Sequence, residues 1–365
     1  SSSMLEIFAP LSAQALDYVA EYKYKGGGYS IIDRKIMMPY WNRAVQLLPM
    51  WMAPNLVTLT GLCWVFVSSA LIAYYVPLFT GHAPGWVYAF AAIALFVYQT
   101  MDAIDGKQAR RTGTSSPLGQ MFDHGCDALN MGLLVPSLCA SLNLGASGLA
   151  FAAFHLVAAP FFAGQWEEYH TGVLRTGNAF FGVTEGQILS CALHLITGFY
   201  GPEFWRDTRI NVPYFGEITL LYLLLTTLLT SNGILILENI WKVFTNTHRL
   251  PQDEVGAKQL GKRNAVRHLL PYCGFVACGM ISLVAPPDRC LADINPLVFY
   301  AIHCLLYAMI VTKFIVSHMS KSPPSNELWL LVPFFALAIN SHLPNGLPVV
   351  PTAQGFLLVL FMLYL

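Results

Sequence analysis

Apolar runs of roughly 20 residues, the length one helix needs to cross the hydrocarbon core of a bilayer, recur along most of the chain. They fall near residues 55–76, 85–105, 117–141, 148–168, 184–200, 217–244, 264–285, 294–318, 326–342 and 350–365 and predict about ten transmembrane helices. Two weaker patterns precede them. Met4 to about Tyr24 reads as an amphipathic stretch leading to the turn residues Gly26, Gly27 and Gly28. Tyr40 to Trp51 is rich in Trp and Leu and carries Arg43, the pattern of a helix lying in the interface plane. The expected architecture is an all-α, polytopic integral membrane protein with an N-terminal interfacial amphipathic helix.

Composition agrees, with 55% hydrophobic and 11% charged residues, against roughly 25% charged in an average soluble domain. Lys plus Arg and Asp plus Glu number 20 each, so no net charge draws the chain to nucleic acid. The eight Cys residues fall mostly inside apolar segments without metal-site spacing, which suits small buried residues better than disulfides. Threading the ten spans leaves only Arg206, Arg209 and Arg289 opposite the N-terminus, and the other basic residues then mark the cytosolic side.

The polar residues that break the apolar pattern most sharply lie in QTMDAIDGKQARRTGTSSPLGQMFDHGCDALN, residues 99–130. Carboxylates at a membrane boundary cost several kcal/mol unless something compensates them, so four together suggest a site. Helical spacing places Asp102 and Asp105 on one face, and Gly119, Asp123 and Asp127 on one face of the next helix. Gly113, Ser115, Ser116 and Pro117 supply the turn, and Gly119 leaves room for a ligand above two carboxylates. Two antiparallel helices joined this way offer enough hard oxygen ligands for one or two Mg²⁺ or Mn²⁺ ions. His124 adjoins Asp123, but the helical step turns it away from the aspartate face.

The eight positions Asp102, Asp105, Gly106, Ala109, Arg110, Gly119, Asp123 and Asp127 form DxxDGxxARx8GxxxDxxxD. This pattern resembles the signature of the CDP-alcohol phosphotransferases at every position, and its flanks resemble the eukaryotic choline and ethanolamine phosphotransferases. Weaker similarity covers PMWMAPNLVTLTG, WEEYHTG, VTEGQ and SHMSKS. The resemblance implies that Asp102, Asp105 and Asp123 hold metal, joined by Asp127 as ligand, general base or both. It implies that Gly106, Ala109 and Arg110 line the CDP site together with Gly119. It also suggests that Asn55 and Thr58 contact cytidine, although helix capping alone would explain Asn55.

An acceptor hydroxyl is a poor nucleophile at neutral pH and calls for a base. Glu185 and His170, in the polar clusters that follow the signature, are the candidates beside Asp127. An ion-coupled transporter is the competing class, but no second half of the chain resembles residues 102–127. The expected function is transfer of phosphocholine or phosphoethanolamine from CDP-choline or CDP-ethanolamine to diacylglycerol, releasing CMP. Residues 1–54 are read as the interfacial segment, 55–200 as the catalytic helices, and 201–365 as the remaining helices, with an acceptor-lipid and dimer region. The resemblance adds a homodimer in the endoplasmic reticulum or a related endomembrane, embedded among membrane lipids, with its site facing the cytosol.

Overall fold

A computed structural model describes residues 12–22, 24–246, 261–324 and 328–364. Ahead of the first apolar run come α1 (Ala13–Glu21) and α2 (Met38–Ala44). The first long helices are α3 (Pro54–Tyr75), α4 (Gly85–Thr112), α5 (Pro117–Ser141), α6 (Gly148–Thr171) and α7 (Val183–Tyr200). The short α8 (Phe204–Asp207) leads to α9 (Leu220–Asn246), then α10 (Lys262–Arg267), α11 (Leu270–Leu283) and α12 (Leu291–Ile294). The chain closes with α13 (Pro296–Met319), α14 (Leu328–Asn340) and α15 (Val349–Tyr364). The fold is all-α and polytopic. Among the described residues six helices are long and apolar enough to cross a membrane: α3, α4, α6, α9, the α10–α11 pair and α13.

Several boundaries differ from the sequence reading for local reasons. The interfacial stretch 40–51 is helical only to Ala44, with one tighter turn over Val45–Leu47. Pro49 disfavours the helical conformation at Leu48, which is extended at φ −74° and ψ 135°. The run 264–285 breaks at His268 and Leu269, where Pro271 in the first turn of α11 has no N–H to continue the ladder of α10. The run expected from 217 becomes helical only at Leu220, because Arg209–Val212 (β3) and Gly216–Thr219 (β4) form an antiparallel hairpin. The part of the amphipathic stretch before Ser12 lies outside the described residues.

Helix packing determines which residues reach the end of the bundle where α4 turns into α5. α4 packs on α3 and α7, α5 on α3 and α13, and α6 on α9. At the α5–α13 crossing, a Cβ on Gly132 would overlap the side chain of Cys304, so only glycine permits this approach. The buried core runs continuously through the bundle and includes Tyr88, Phe154, Trp166, Tyr300 and Tyr307. A smaller cluster of Met37, Trp41 and Val45 against Val57 and Ile104 pins the N-terminal segment to α3 and α4. Gly26–Gly27 (β1) then pairs in parallel with Leu174–Arg175 (β2), tying that segment to the loop after α6.

Candidate active site

The corner between α4 and α5 is built by local signals. Gly113 ends α4 in the left-handed region, at φ 70°, and the N–H of Thr114 returns to the carbonyl of Ala109 at 2.9 Å. Ser116 caps α5, its hydroxyl accepting from the N–H of Gly119 at 3.0 Å, and Pro117 takes the first turn, where no N–H is needed. α4 thus runs two turns past the expected end of its apolar run. Asp102, Asp105, Ala109 and Arg110 therefore belong to one continuous helix facing Asp123 and Asp127 on the next.

The four carboxylates act on one another. Asp123 faces the charges of Asp102, Asp105 and Asp127 together. Two are anchored by neutral hydroxyls: the Thr58 hydroxyl donates to Oδ2 of Asp105, and the Tyr98 hydroxyl donates to Oδ1 of Asp127 at 2.8 Å. The other two keep an oxygen free, since Oδ1 of Asp102 and Oδ1 of Asp123 are buried without a hydrogen-bond partner. Buried acceptors that lack a donor are costly and suit a cation. Among the described residues no three His, Cys, Asp or Glu side chains form a ready-made ion cage. The arrangement therefore fits an ion that draws part of its coordination from ligand oxygens, as Mg²⁺ commonly does at phosphates.

Two cavities meet at these carboxylates. A polar cavity of about 770 Å³ is lined by Asn55, Gly106, Ala109, Arg110 and Gly119, with Asp102, Asp105 and Asp123. An apolar cavity of about 250 Å³ starts from Asp102, Asp123 and Asp127 and passes between Leu134, Leu138, Leu193 and Leu228. Asp105 lines only the polar cavity and Asp127 only the apolar one, whereas Asp102 and Asp123 line both. Thr58 lines neither; it is 1% exposed and holds Asp105 from behind. Arg111 turns away from Arg110 and donates to the carbonyls of Val45 and Leu48 at 2.9 and 2.7 Å, bracing the loop before α3.

The two proposed bases after the signature are not brought to either cavity. His170 is fully buried, with Nε2 3.2 Å from Nδ1 of His268 and its ring stacked on that histidine. Glu185 is in the first turn of α7, both carboxylate oxygens buried without a partner. The cavity-lining residues of that helix are Val183, Thr184, Gly186, Gln187, Leu189, Ser190 and Leu193, and Glu185 is not among them. Glu167 pairs with Arg175, and Glu168 accepts from the Tyr22 hydroxyl at 3.0 Å, so these acids hold the N-terminal segment in place.

His124, read from the sequence as a further candidate base turned away from the aspartate face, lines both cavities, as do Tyr24 and Gln187, which were not selected from the sequence. Tyr24 meets His124 edge to face, with ring centroids 6.0 Å apart. Burial first, then the nearby Glu168 carboxylate, pushes the Tyr22 hydroxyl well above its ordinary range. Burial likewise raises that of Tyr24, so both enter the site as neutral phenols. The available signal for Gln187 was the small and polar face Val183, Gly186, Gln187 and Ser190. For Tyr24 there was none, since its position depends on the distant pairing of β1 with β2.

Room above Asp123 is testable. A Cβ on Gly119 would lie 3.3 Å from the Ser116 hydroxyl and 3.4 Å from Oδ1 of Asn55. The rest of a leucine side chain would have to enter the polar cavity or displace these neighbours, at a cost of about 1–3 kcal/mol. Gly119→Leu is expected to weaken CMP binding by roughly 10-fold or more while the melting temperature of the detergent-purified protein moves little. Unchanged CMP affinity would show that this face of α5 is turned away from the nucleotide.

A family model described as CDP-alcohol phosphatidyltransferase matches residues 51–165, the stretch that carries all four carboxylates. Similar proteins extend the match over most of the chain. A class-I CDP-alcohol phosphatidyltransferase family protein of Dictyostelium discoideum is 34% identical over 92% of this chain and 84% of its own length. Cholinephosphotransferase 1 of Saccharomyces cerevisiae is 31% identical over 87% of this chain and 81% of its own. Choline/ethanolaminephosphotransferase 2 of Arabidopsis thaliana is 30% identical over 93% and 88%. With four carboxylates at the meeting of a polar and an apolar cavity, and with relatives aligned over most of its length, the chain belongs to the CDP-alcohol phosphatidyltransferase family.

Proposed function

We propose that this protein transfers phosphocholine or phosphoethanolamine from CDP-choline or CDP-ethanolamine to the hydroxyl of diacylglycerol, giving phosphatidylcholine or phosphatidylethanolamine and CMP. The observation that carries this reading is the meeting of a polar and an apolar cavity at Asp102 and Asp123. One cavity suits a nucleoside diphosphate and the other an acyl-bearing alcohol, and the reacting phosphorus belongs between them. The names of the yeast and plant relatives point to the same two head groups.

The family is generally dependent on a divalent metal. Asp102, Asp105 and Asp123, with Asp127 as a possible fourth ligand, would hold Mg²⁺ or Mn²⁺, in our reading two ions. Bound there, the metal would neutralise the diphosphate and orient its attacked phosphorus. The chain's own groups divide the remaining work. Arg110 is exposed at the polar cavity and offers a fork of donors to phosphate. Gly106 and Ala109 let the nucleotide approach the helix backbone, and Asn55 stands at the start of α3 for the base. Asp127, on the acceptor side, takes the proton as the acceptor oxygen bonds to phosphorus and the bridging P–O bond to CMP breaks. Its Oδ1 is held by Tyr98, which leaves Oδ2 for the hydroxyl. Glu185 is retained as a carboxylate one step removed, and His170 has no part in the step.

The membrane setting follows the same reading. We take all ten apolar helices as spans, with residues 55–200 as the catalytic part and 201–365 as its supporting helices. The basic residues on the N-terminal side support a cytosolic site in the endoplasmic reticulum or a related endomembrane, and resemblance to the choline and ethanolamine phosphotransferases supports a homodimer. The experiment is direct. Detergent-purified protein given Mg²⁺, diacylglycerol and either CDP-choline or CDP-ethanolamine should release CMP and form the matching phospholipid. CMP release from neither donor would overturn the reading.

A further inference from the structure

A third cavity, of about 420 Å³, includes none of the four carboxylates and is lined by Gly28, Tyr29, Arg34, Arg175, Asn178 and Lys242 among others. Its volume is that of a small-ligand pocket, about 300–1,000 Å³. Three stretches far apart in the chain build it: the N-terminal segment, the loop between α6 and α7, and the last turns of α9. Main-chain contacts hold the first two together. The N–H of Ile31 donates to the carbonyl of Ala179 at 3.0 Å, and Gly28, at φ 80°, lies so close to Gly177 that a Cβ there would overlap its carbonyl oxygen. α9 joins through side chains, since the Asn178 amide donates to Oε1 of Glu238 at 3.4 Å and Lys242 pairs with Oε2 of the same glutamate at 3.7 Å.

The charges around this cavity do not cancel. Arg175 pairs with the buried Glu167 and Lys242 with Glu238, whereas Arg34 donates to main-chain carbonyls, that of Tyr29 at 3.0 Å and that of Ser30 at 3.3 Å. Among the described residues three cations thus face two carboxylates. Lys242 also meets the like charge of Arg175, and the two side chains keep only 26% and 29% of their surface exposed. Holding like charges together and mostly out of water costs free energy that a bound anion recovers. Two guanidinium forks and an ammonium suit a phosphate group, whose several oxygens can accept from all three at once, better than a carboxylate with two.

We infer that Arg34, Arg175, Lys242 and Asn178 form an anion site for a phosphate group, outside the nucleotide cavity. Of the residues lining it, only Tyr29 also lines that polar cavity. Arg175 and Gly177 line the apolar cavity as well, so a phosphate seated here lies beside space for acyl chains. A phosphorylated lipid would place its phosphate in the basic cavity and its chains along the apolar one, whereas a free phosphate would use the first alone. The site is read by binding, so it stands or falls apart from the transferase reading.

The test titrates the detergent-purified full chain with inorganic phosphate and with mixed micelles of dodecyl maltoside and phosphatidate, at fixed ionic strength. EDTA is present throughout, so that the bare aspartates repel anions from the nucleotide cavity. Losing one charged donor should weaken binding about 10-fold or more, and Arg34→Ala and Lys242→Gln are each expected to show that loss. Arg34→Lys, which keeps the charge, should recover part of it. Lys35→Ala removes an exposed charge next to the cavity but not in its lining, and should leave affinity nearly unchanged. Because Arg34 also braces the N-terminal segment, Lys242→Gln decides the matter if Arg34→Ala fails to fold. Much tighter binding of phosphatidate than of phosphate would support the site with a lipid as its occupant, and equal affinities would support it with free phosphate. Binding of neither probe by wild type would overturn the site, as would unchanged affinity in Lys242→Gln. A loss in Lys35→Ala matching that in Lys242→Gln would overturn it too, because that pattern reports attraction to surface charge in bulk.

Discussion

Asp102→Asn and Asp123→Asn are each expected to abolish transfer, to below roughly 1% of wild type, while raising rather than lowering the melting temperature of the metal-free protein. The two effects have one cause. Asp102 and Asp123 each hold a buried Oδ1 without a donor and face further carboxylates at short range. Asparagine keeps the volume and removes one charge, which relieves repulsion in the absence of a cation. The same change removes a charged ligand whose ion is worth several kcal/mol to a developing phosphoryl transition state. CMP release measures the first effect, and thermal unfolding in EDTA the second. EDTA should silence the wild type as well. An asparagine variant that stays folded and keeps more than a tenth of wild-type turnover in Mg²⁺ would remove that residue from the metal site.

Asp127→Asn is expected to lower turnover by roughly 10²- to 10⁴-fold, the usual range for one positioned base, with CMP affinity in Mg²⁺ nearly unchanged. The fold should survive, since asparagine can still accept from the Tyr98 hydroxyl that now bonds Oδ1 at 2.8 Å. The assignment follows from the division of the four acids: Asp127 lines the apolar cavity and not the polar one. Glu185→Gln supplies the contrast, with a loss below about 10-fold, because the carboxylate of Glu185 faces neither cavity. Single-turnover rates and CMP binding separate the two roles, since a base acts chiefly in the transition state. If Asp127→Asn loses metal-dependent nucleotide affinity together with turnover, it is a ligand. A larger loss of turnover in Glu185→Gln than in Asp127→Asn would move the base to α7.

Much of this arrangement was legible without coordinates, because the signals are local. Apolar runs of bilayer length marked the long helices, although α4 continues two turns past its run and the run 264–285 is broken ahead of Pro271, which has no N–H to donate. The corner at Gly113, Ser116 and Pro117 followed from left-handed freedom, a capping hydroxyl and a missing donor, each a property of one or two residues. The three- and four-residue spacing of the aspartates on α4 and α5 was likewise periodicity alone.

What lay beyond the sequence depended on which faces the helices turn to one another. Spacing could put Asp123 and Asp127 on one face, but only the packing of α5 against α3 and α13, beside α6 and α7, places Asp123 at both cavities and Asp127 at the apolar one alone. On α7, sequence chemistry favoured the carboxylate of Glu185, whereas rotation of the helix presents Gln187, two residues on and on a different face. Tyr24 reaches the carboxylates because β1 pairs with β2 across more than a third of the chain, and such a ladder between two-residue strands has no local pattern to announce it. The sequence by itself therefore determined the helices, their caps and the four acids, because these rest on neighbours within one helical turn. Tertiary structure alone decided how the acids are shared and which aromatic residues close over them, because helix rotation and long-range pairing are set by the whole bundle's burial of apolar surface.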